Sequence, residues 1–184
     1  MLMEKQSPQL GLTLVELVVT LAVLSLLMSV ALPSFQSFTV RNNSIAGIDD
    51  LKVDLRFARN EAAKVGAVTR ICIGNSTGCH SGWGNNWARG WIVKVNATGT
   101  VLKIHPPLLA GYNLTAINNS TRFNAVDFNR YGFTSPRLFR LCDGQSRARA
   151  IILSRTGRVR MAVDTDTPAN GLVDDENDND ISCS

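Results

Sequence analysis

The chain has 184 residues, 45% of them hydrophobic, with 19 Lys plus Arg against 15 Asp plus Glu and a formal net charge of +4. That surplus is too small to make the whole chain a polycation, so affinity for an anionic partner must come from local clusters of basic residues. Only two histidines are present, and no two cysteines stand two residues apart. Together with the lack of a phosphate-cradling glycine loop or a nucleophile pattern, this argues against an enzyme and against the common zinc frameworks.

The first element is apolar. Residues 12–32 carry one charge, Glu16, and end on Pro33. As a helix rising 1.5 Å per residue they span roughly 31 Å, against about 30 Å for the hydrocarbon core of a bilayer. A carboxylate at the centre of such a segment costs about 2.5–3.5 kcal/mol, less near an end where Glu16 lies, so a partner is expected. A secretory signal peptide places its small-residue cleavage site after the apolar run. Here Gly11 comes before it.

The string Gly11-Leu12-Thr13-Leu14-Val15-Glu16, behind a short polar leader of residues 1–10, resembles the type IV prepilin signal. The resemblance implies cleavage after Gly11 by a prepilin peptidase, N-methylation of Leu12, and retention of the helix in a pilus or pseudopilus. Glu16 would then pair with the amino terminus of a neighbouring pilin. Leu12 departs from the phenylalanine usual at this position but keeps its apolar character. Pro33 fits the proline kink of the pilin pattern, and its missing N–H predicts a bend or local melt there. In the leader Glu4 and Lys5 cancel, so orientation rests on the resemblance and on the cysteines. The expected location is a single pass through the bacterial inner membrane with a periplasmic globular domain.

From residue 34 to Gly66, Ile45, Ile48, Leu51, Leu55, Ala58, Ala62 and Val65 recur at steps of three and four, with Asp49, Lys52, Arg56, Arg59 and Lys64 on other faces. The spacing predicts an amphipathic helix capped at Gly66. Short strands are expected over 68–73, 91–95, 101–104, 122–128, 138–142, 149–153 and 158–163, with loops over 74–86 and 111–121. Trp83, Trp87 and Trp91 are spaced by four, but the glycines among them disfavour a helix. Their rings are expected to pack the core edge rather than to form a stacking platform for single-stranded nucleic acid.

The segment Trp87-Ala88-Arg89-Gly90-Trp91-Ile92-Val93 resembles the GspH/FimT pseudopilin domain. This implies an α+β type IV pilin fold, a long N-terminal helix packed on an antiparallel sheet. The organisation expected is a leader (1–11), a membrane helix (12–33), an amphipathic helix (34–66) and a β-rich domain with an acidic tail (67–184). Cys72, Cys79, Cys142 and Cys183 allow three pairings, and disulfides suit a periplasmic domain. Pairing Cys72 with Cys79 and Cys142 with Cys183 would close a small and a large loop. With only His80 and His105 to add, zinc is the weaker reading.

In the last third, Arg137, Arg140, Arg147, Arg149, Arg155, Arg158 and Arg160 face only Asp143 before residue 161. Strand alternation would put Arg158 and Arg160 on one face and Val159, Met161 and Val163 on the other. The planar guanidinium fork suits phosphate, and phosphate contacts release condensed counterions. Gly157-Arg158-Val159-Arg160 resembles the GRxR motif of FimT-type minor pilins, which implies double-stranded DNA as a partner, bound without sequence preference during uptake for natural transformation. The residues so implicated are Gly157, Arg158 and Arg160, with Arg155, Arg149 and Arg147 beside them.

Against this stands a tail with Asp164, Asp166, Asp174, Asp175, Glu176, Asp178 and Asp180 and no basic residue, able to neutralise the patch. A contiguous calcium loop with its fixed glycine is absent between Asp174 and Asp180, so neither metal nor cofactor is expected. Three roles remain: a minor pilin that joins or primes a type IV pilus, the same subunit with a DNA-binding strand, and a type II secretion pseudopilin.

Overall fold

The protein is represented by a computed structural model that describes residues 13–118, 121–144, 147–166, 168–175 and 177–183. Gly11 and Leu12 lie outside the described residues. These fall into two compact units that divide between Thr39 and Val40, inside the one long helix α1, Leu14–Val65.

Helix α1 starts at a local signal. Thr13 Oγ1 accepts the backbone N–H of Glu16 at 3.2 Å, the first half of a Thr-x-x-Glu capping box. Glu16 thus stands in the first turn, where a negative charge meets the positive end of the helix dipole. The helix is long and apolar enough to cross a membrane, by length and composition, and Leu14, Leu17, Leu21 and Leu26 are exposed. Pro33 removes the N–H that would bond the Ser29 carbonyl. The chain nonetheless stays helical across it, so the expected local melt does not occur. Only one backbone donor is lost, and the helix continues on both sides of it.

The second unit contains the rest of α1 and all the strands. Ser44, Gly47, Ile48, Leu51, Asp54, Leu55, Ala58 and Ala62 are buried, the expected stripe shifted to include two polar residues. Val65 is exposed, contrary to its place in that stripe. Gly66, with φ +65°, ends the helix in the left-handed region that a glycine tolerates.

In the first sheet, β1 (Thr69–Asn75) lies between β3 (Trp91–Val95) and β7 (Ala125–Phe128). Strand β4 (Val101–His105) pairs with β3, and β2 (Gly78–Cys79) folds back on β1. The second sheet runs in the order β10 (Val159–Met161), β9 (Ala148–Leu153), β8 (Arg137–Cys142), β5 (Asn113–Asn118), β6 (Thr121–Phe123). A separate hairpin joins β11 (Val173–Asp174) to β12 (Asp180–Ile181). All the pairings are antiparallel, giving the α+β pilin-like architecture expected from the sequence.

Two segments differ from expectation. Strand β5 falls in the Asn-rich stretch read as a loop, because its Leu114, Thr115 and Ala116 are buried beside β8 while its asparagines occupy the ends. The single strand expected over 122–128 is two, since β6 pairs with β5 and β7 with β1. The chain changes sheets at Asn124, whose carbonyl accepts the Ile73 N–H at 2.9 Å.

The core lies between α1 and both sheets: Leu51, Leu55, Ile71, Ile73, Trp87, Trp91, Phe128, Phe139, Ile151 and Leu153 are fully buried within it. Trp87 and Trp91 come from a short 3-10 turn and from β3, not from a helix. Each buried indole N–H is satisfied, Trp87 by the Phe123 carbonyl and Trp91 by Asp54 Oδ2, both at 2.9 Å. Asp54, itself 1% exposed, also meets Lys103. Trp83 is half-buried, stacked on His80 at 4.4 Å with the Arg89 guanidinium 4.9 Å from its centre. His105 stacks on Trp91 at 3.8 Å. Both disulfides are formed, Cys72 with Cys79 and Cys142 with Cys183.

Candidate nucleic-acid interface

The β9–β10 hairpin turns through Ser154, Arg155, Thr156 and Gly157. The Gly157 N–H bonds the Ser154 carbonyl at 2.9 Å, and the Ser154 N–H bonds the Arg158 carbonyl at 3.0 Å. Gly157 has φ +73°, and a Cβ placed there would stand 2.1 Å from the Gly132 carbonyl oxygen and 2.9 Å from Arg59 Nε. The glycine of the motif is therefore required by the turn and by close backbone approach, which accounts for it without a ligand.

Strand β10 is shorter than expected. It begins at Val159, with Arg158 in the last position of the turn, and stops at Met161. Arg160 pairs with Ile152 and lies on the outer face of the sheet, while Val159 is buried toward the helix, where its carbonyl accepts Arg56 Nη2 at 3.2 Å. Arg155, Arg158 and Arg160 are all exposed. None of the three side chains has a hydrogen bond or ion pair among the described residues, so three guanidinium groups within six residues face solvent.

The other arginines are dispersed by the sheet. Arg149 points inward, its Nε donating to Ser44 Oγ on the helix at 3.0 Å, so it is not on the Arg160 face. Arg147 is exposed, but it stands five residues before the partner of Arg160, about 17 Å along the strand. The Arg137 guanidinium lies 3.7 Å from the centre of the Phe123 ring, and burial lowers its pKa. Arg140 donates to the Ser182 carbonyl at 2.7 Å, beneath the tail. Two residues outside the expected set stand beside the turn: Arg56 through its bond to Val159, and Arg59 against Gly132 and Gly157. Their spacing of three on the helix was the available signal, but the sequence does not say that this face of the helix meets the hairpin.

Among the described residues, the acidic tail does not clamp Arg155, Arg158 or Arg160. Its described carboxylates accept bonds from the tail itself. Gly171 N–H donates to Asp164 at 2.6 Å, Thr165 N–H and Oγ1 donate to Asp174 at 2.5 and 2.6 Å, and Asn177 N–H donates to Asp175 at 2.7 Å. No ion pair among the described residues joins a tail acid to an arginine. The hairpin β11–β12 covers the outer face of the sheet by burying Ile181 and part of Val173 against Ala150, Ile152, Ala162, Leu138 and Ala148. Arg158 and Arg160 stay exposed beside it in sequence.

The family described as "Type II transport protein GspH" matches residues 48–157, more than half of the chain, and the "Prokaryotic N-terminal methylation motif" matches residues 6–32. The first match ends at Gly157, before Arg158, Arg160 and the tail. No curated protein sequence matches the chain at a significant level. Among solved structures, the type IV minor pilin FimU of Pseudomonas aeruginosa, strain PAO1, is similar at 21% identity and TM-score 0.54, over 67% of this chain and 91% of that one. A second crystal form of FimU gives 18% and 0.50, over 66% and 90%. The minor pseudopilin EpsH from the type 2 secretion system of Vibrio cholerae gives 11% and 0.49, over 67% and 99%. The two FimU structures share this fold, with its helix and antiparallel sheets. With a methylation motif at its start and the GspH domain behind it, the chain belongs to the GspH family of prepilin-like proteins.

Proposed function

We propose that the protein is a minor pilin that joins or primes a type IV pilus and binds double-stranded DNA through Arg158 and Arg160, with Arg155 beside them, for uptake in natural transformation. It is cut after Gly11 by a prepilin peptidase and N-methylated at Leu12. The helix holds it in the inner membrane, with the disulfide-bearing unit in the periplasm, and Glu16 pairs with the amino terminus of a neighbouring pilin. The observation that carries the DNA reading is the exposure of Arg155, Arg158 and Arg160 with no side-chain partner among the described residues, while the described tail carboxylates accept bonds within the tail. Contacts of this kind go to the phosphate backbone and read no sequence.

The test is a titration of labelled duplex with the full chain in detergent micelles at several salt concentrations, beside an Arg158→Gln, Arg160→Gln variant. Affinity should fall by roughly 0.9 log units per log unit of salt for each phosphate neutralised, and the variant should lose about two units of that slope. Equal affinity and slope for the two proteins overturn the DNA assignment. The description of the matched family favours a second reading, a pseudopilin of type II secretion. A deletion strain that still takes up DNA but fails to secrete selects it.

A further inference from the structure

The C-terminal tail gathers three carboxylates, Asp166 from the loop after β10 and Asp174 and Asp180 from the paired strands β11 and β12. Ligand oxygens of Asp166, Asp174 and Asp180 all lie within 4.8 Å of one another. Calcium binds oxygens at 2.3–2.6 Å, so two ligands on opposite sides of one ion stand at most about 5 Å apart, and the three oxygens fit around a single ion.

A second observation is independent of the clustering. Asp174 is 2% exposed, and its Oδ1 is a buried oxygen with no hydrogen-bond partner among the described residues. Its other oxygen is committed to the Thr165 N–H and hydroxyl, which leaves Oδ1 as the one available to the cluster. A buried carboxylate oxygen left bare carries a desolvation penalty that a cation would remove.

The tail supplies no positive charge of its own. Residues 161–184 contain no Lys, Arg or His. The donor between Asp166 and Asp180 is the uncharged Asn170 amide, at 2.5 Å from the first and 2.9 and 3.1 Å from the second.

We propose that Asp166, Asp174 and Asp180 form a calcium site that fastens the loop after β10 to both strands of the terminal hairpin. The all-oxygen, carboxylate-rich donor set suits a hard cation, and three carboxylates on one ion suit calcium better than magnesium, which keeps several waters and is bound through one or two carboxylates. A contiguous-loop reading of the sequence misses the site because its ligands are six and eight residues apart and converge only when the hairpin folds. The proposal does not depend on DNA binding.

Full-length protein in detergent, with both disulfides intact and divalent ions stripped by chelator, is titrated with calcium chloride by calorimetry, and tail cleavage by protease is timed with and without calcium. The expected result is one ion per chain with a dissociation constant below about 1 mM, the range of extracellular calcium modules, and tail cleavage slowed at least tenfold. Asp174→Asn should weaken binding at least tenfold. Should burial make that variant misfold, Asp166→Asn, at an exposed position, should show the same loss. No heat at several millimolar calcium, an Asp166→Asn variant that titrates like the parent, or equal binding of magnesium chloride would each overturn the assignment.

Discussion

The second sheet is covered on its two faces by different means. The inner face, through Phe139, Leu141, Ile151 and Leu153, rests on the helix and shares one continuous core with the first sheet. The outer face, through Leu138, Ala148, Ala150 and Ile152, is covered by the C-terminal tail, which offers only Ile181, Ala162 and part of Val173. Hydrophobic burial scales with area, so the helix layer is held mainly by packing, with a few hydrogen bonds such as Arg149 to Ser44 beside it. The tail layer has little apolar area and instead relies on the Cys142–Cys183 bridge and its own network of carboxylate bonds. A polar terminal segment can cover a sheet if covalent and polar links replace the missing hydrophobic area.

The largest test of that contrast is Trp91→Ala. It removes a fully buried ring and leaves Asp54 without its indole donor, so denaturant unfolding should show a loss of about 3–5 kcal/mol. A loss under about 1 kcal/mol would mean that the inner layer is not the main source of stability. Adjacent residues offer a sharper comparison, because Ile151 faces the helix and Ile152 faces the tail. Truncation to alanine spans about 2–5 kcal/mol, with the cost set by how far the site can collapse. Ile151→Ala should fall at the upper end and Ile152→Ala at the lower, since the tail hairpin can settle into the space. The reverse order would break the comparison.

Replacing Cys142 and Cys183 together by serine opens a bridge with a sequence separation of 41, worth about 2–4 kcal/mol in total. The expected phenotype is local: protease cuts within residues 164–183 appear while the fragment from residue 40 to the end of β10 survives. Global unfolding would show that the two layers are one cooperative unit. The smallest effect on stability belongs to Arg158→Gln, Arg160→Gln. These exposed side chains have no partner among the described residues, so unfolding should change by less than about 0.5 kcal/mol while DNA affinity falls. A substitution at Gly157 cannot substitute for this test, because any side chain there collides with the Gly132 carbonyl.

Much of the fold is legible because local pattern and tertiary role agree. Ile48, Leu51, Leu55, Ala58 and Ala62 recur with the helical period and are the residues buried. Trp91–Val95 reads as a strand from its β-branched run and is one. Strand β5 was not legible because its core contribution is only Leu114, Thr115 and Ala116 between asparagines, a pattern that turns share. Asp54 escaped as a core residue because a carboxylate on a helix is ordinarily solvated, and only Trp91 and Lys103, far along the chain, supply the donors that let it be buried. Among the candidate site residues, Arg149 and Arg158 look alike in sequence. Strand parity turns Arg149 to the helix, while Arg158, in the hairpin turn, is left in solvent.

The amino-acid sequence by itself determines the apolar helix with its Glu16, the prepilin-like start, the amphipathic stripe and the arginine-rich stretch ahead of an acidic tail, because each is a periodicity or a composition that a short segment carries alone. Tertiary structure decided which arginines stand together, that the tail bonds to itself instead of to them, and that Asp166, Asp174 and Asp180 meet. Each of those outcomes depends on strand register and on a long disulfide-closed loop, contacts between distant residues that no local segment encodes.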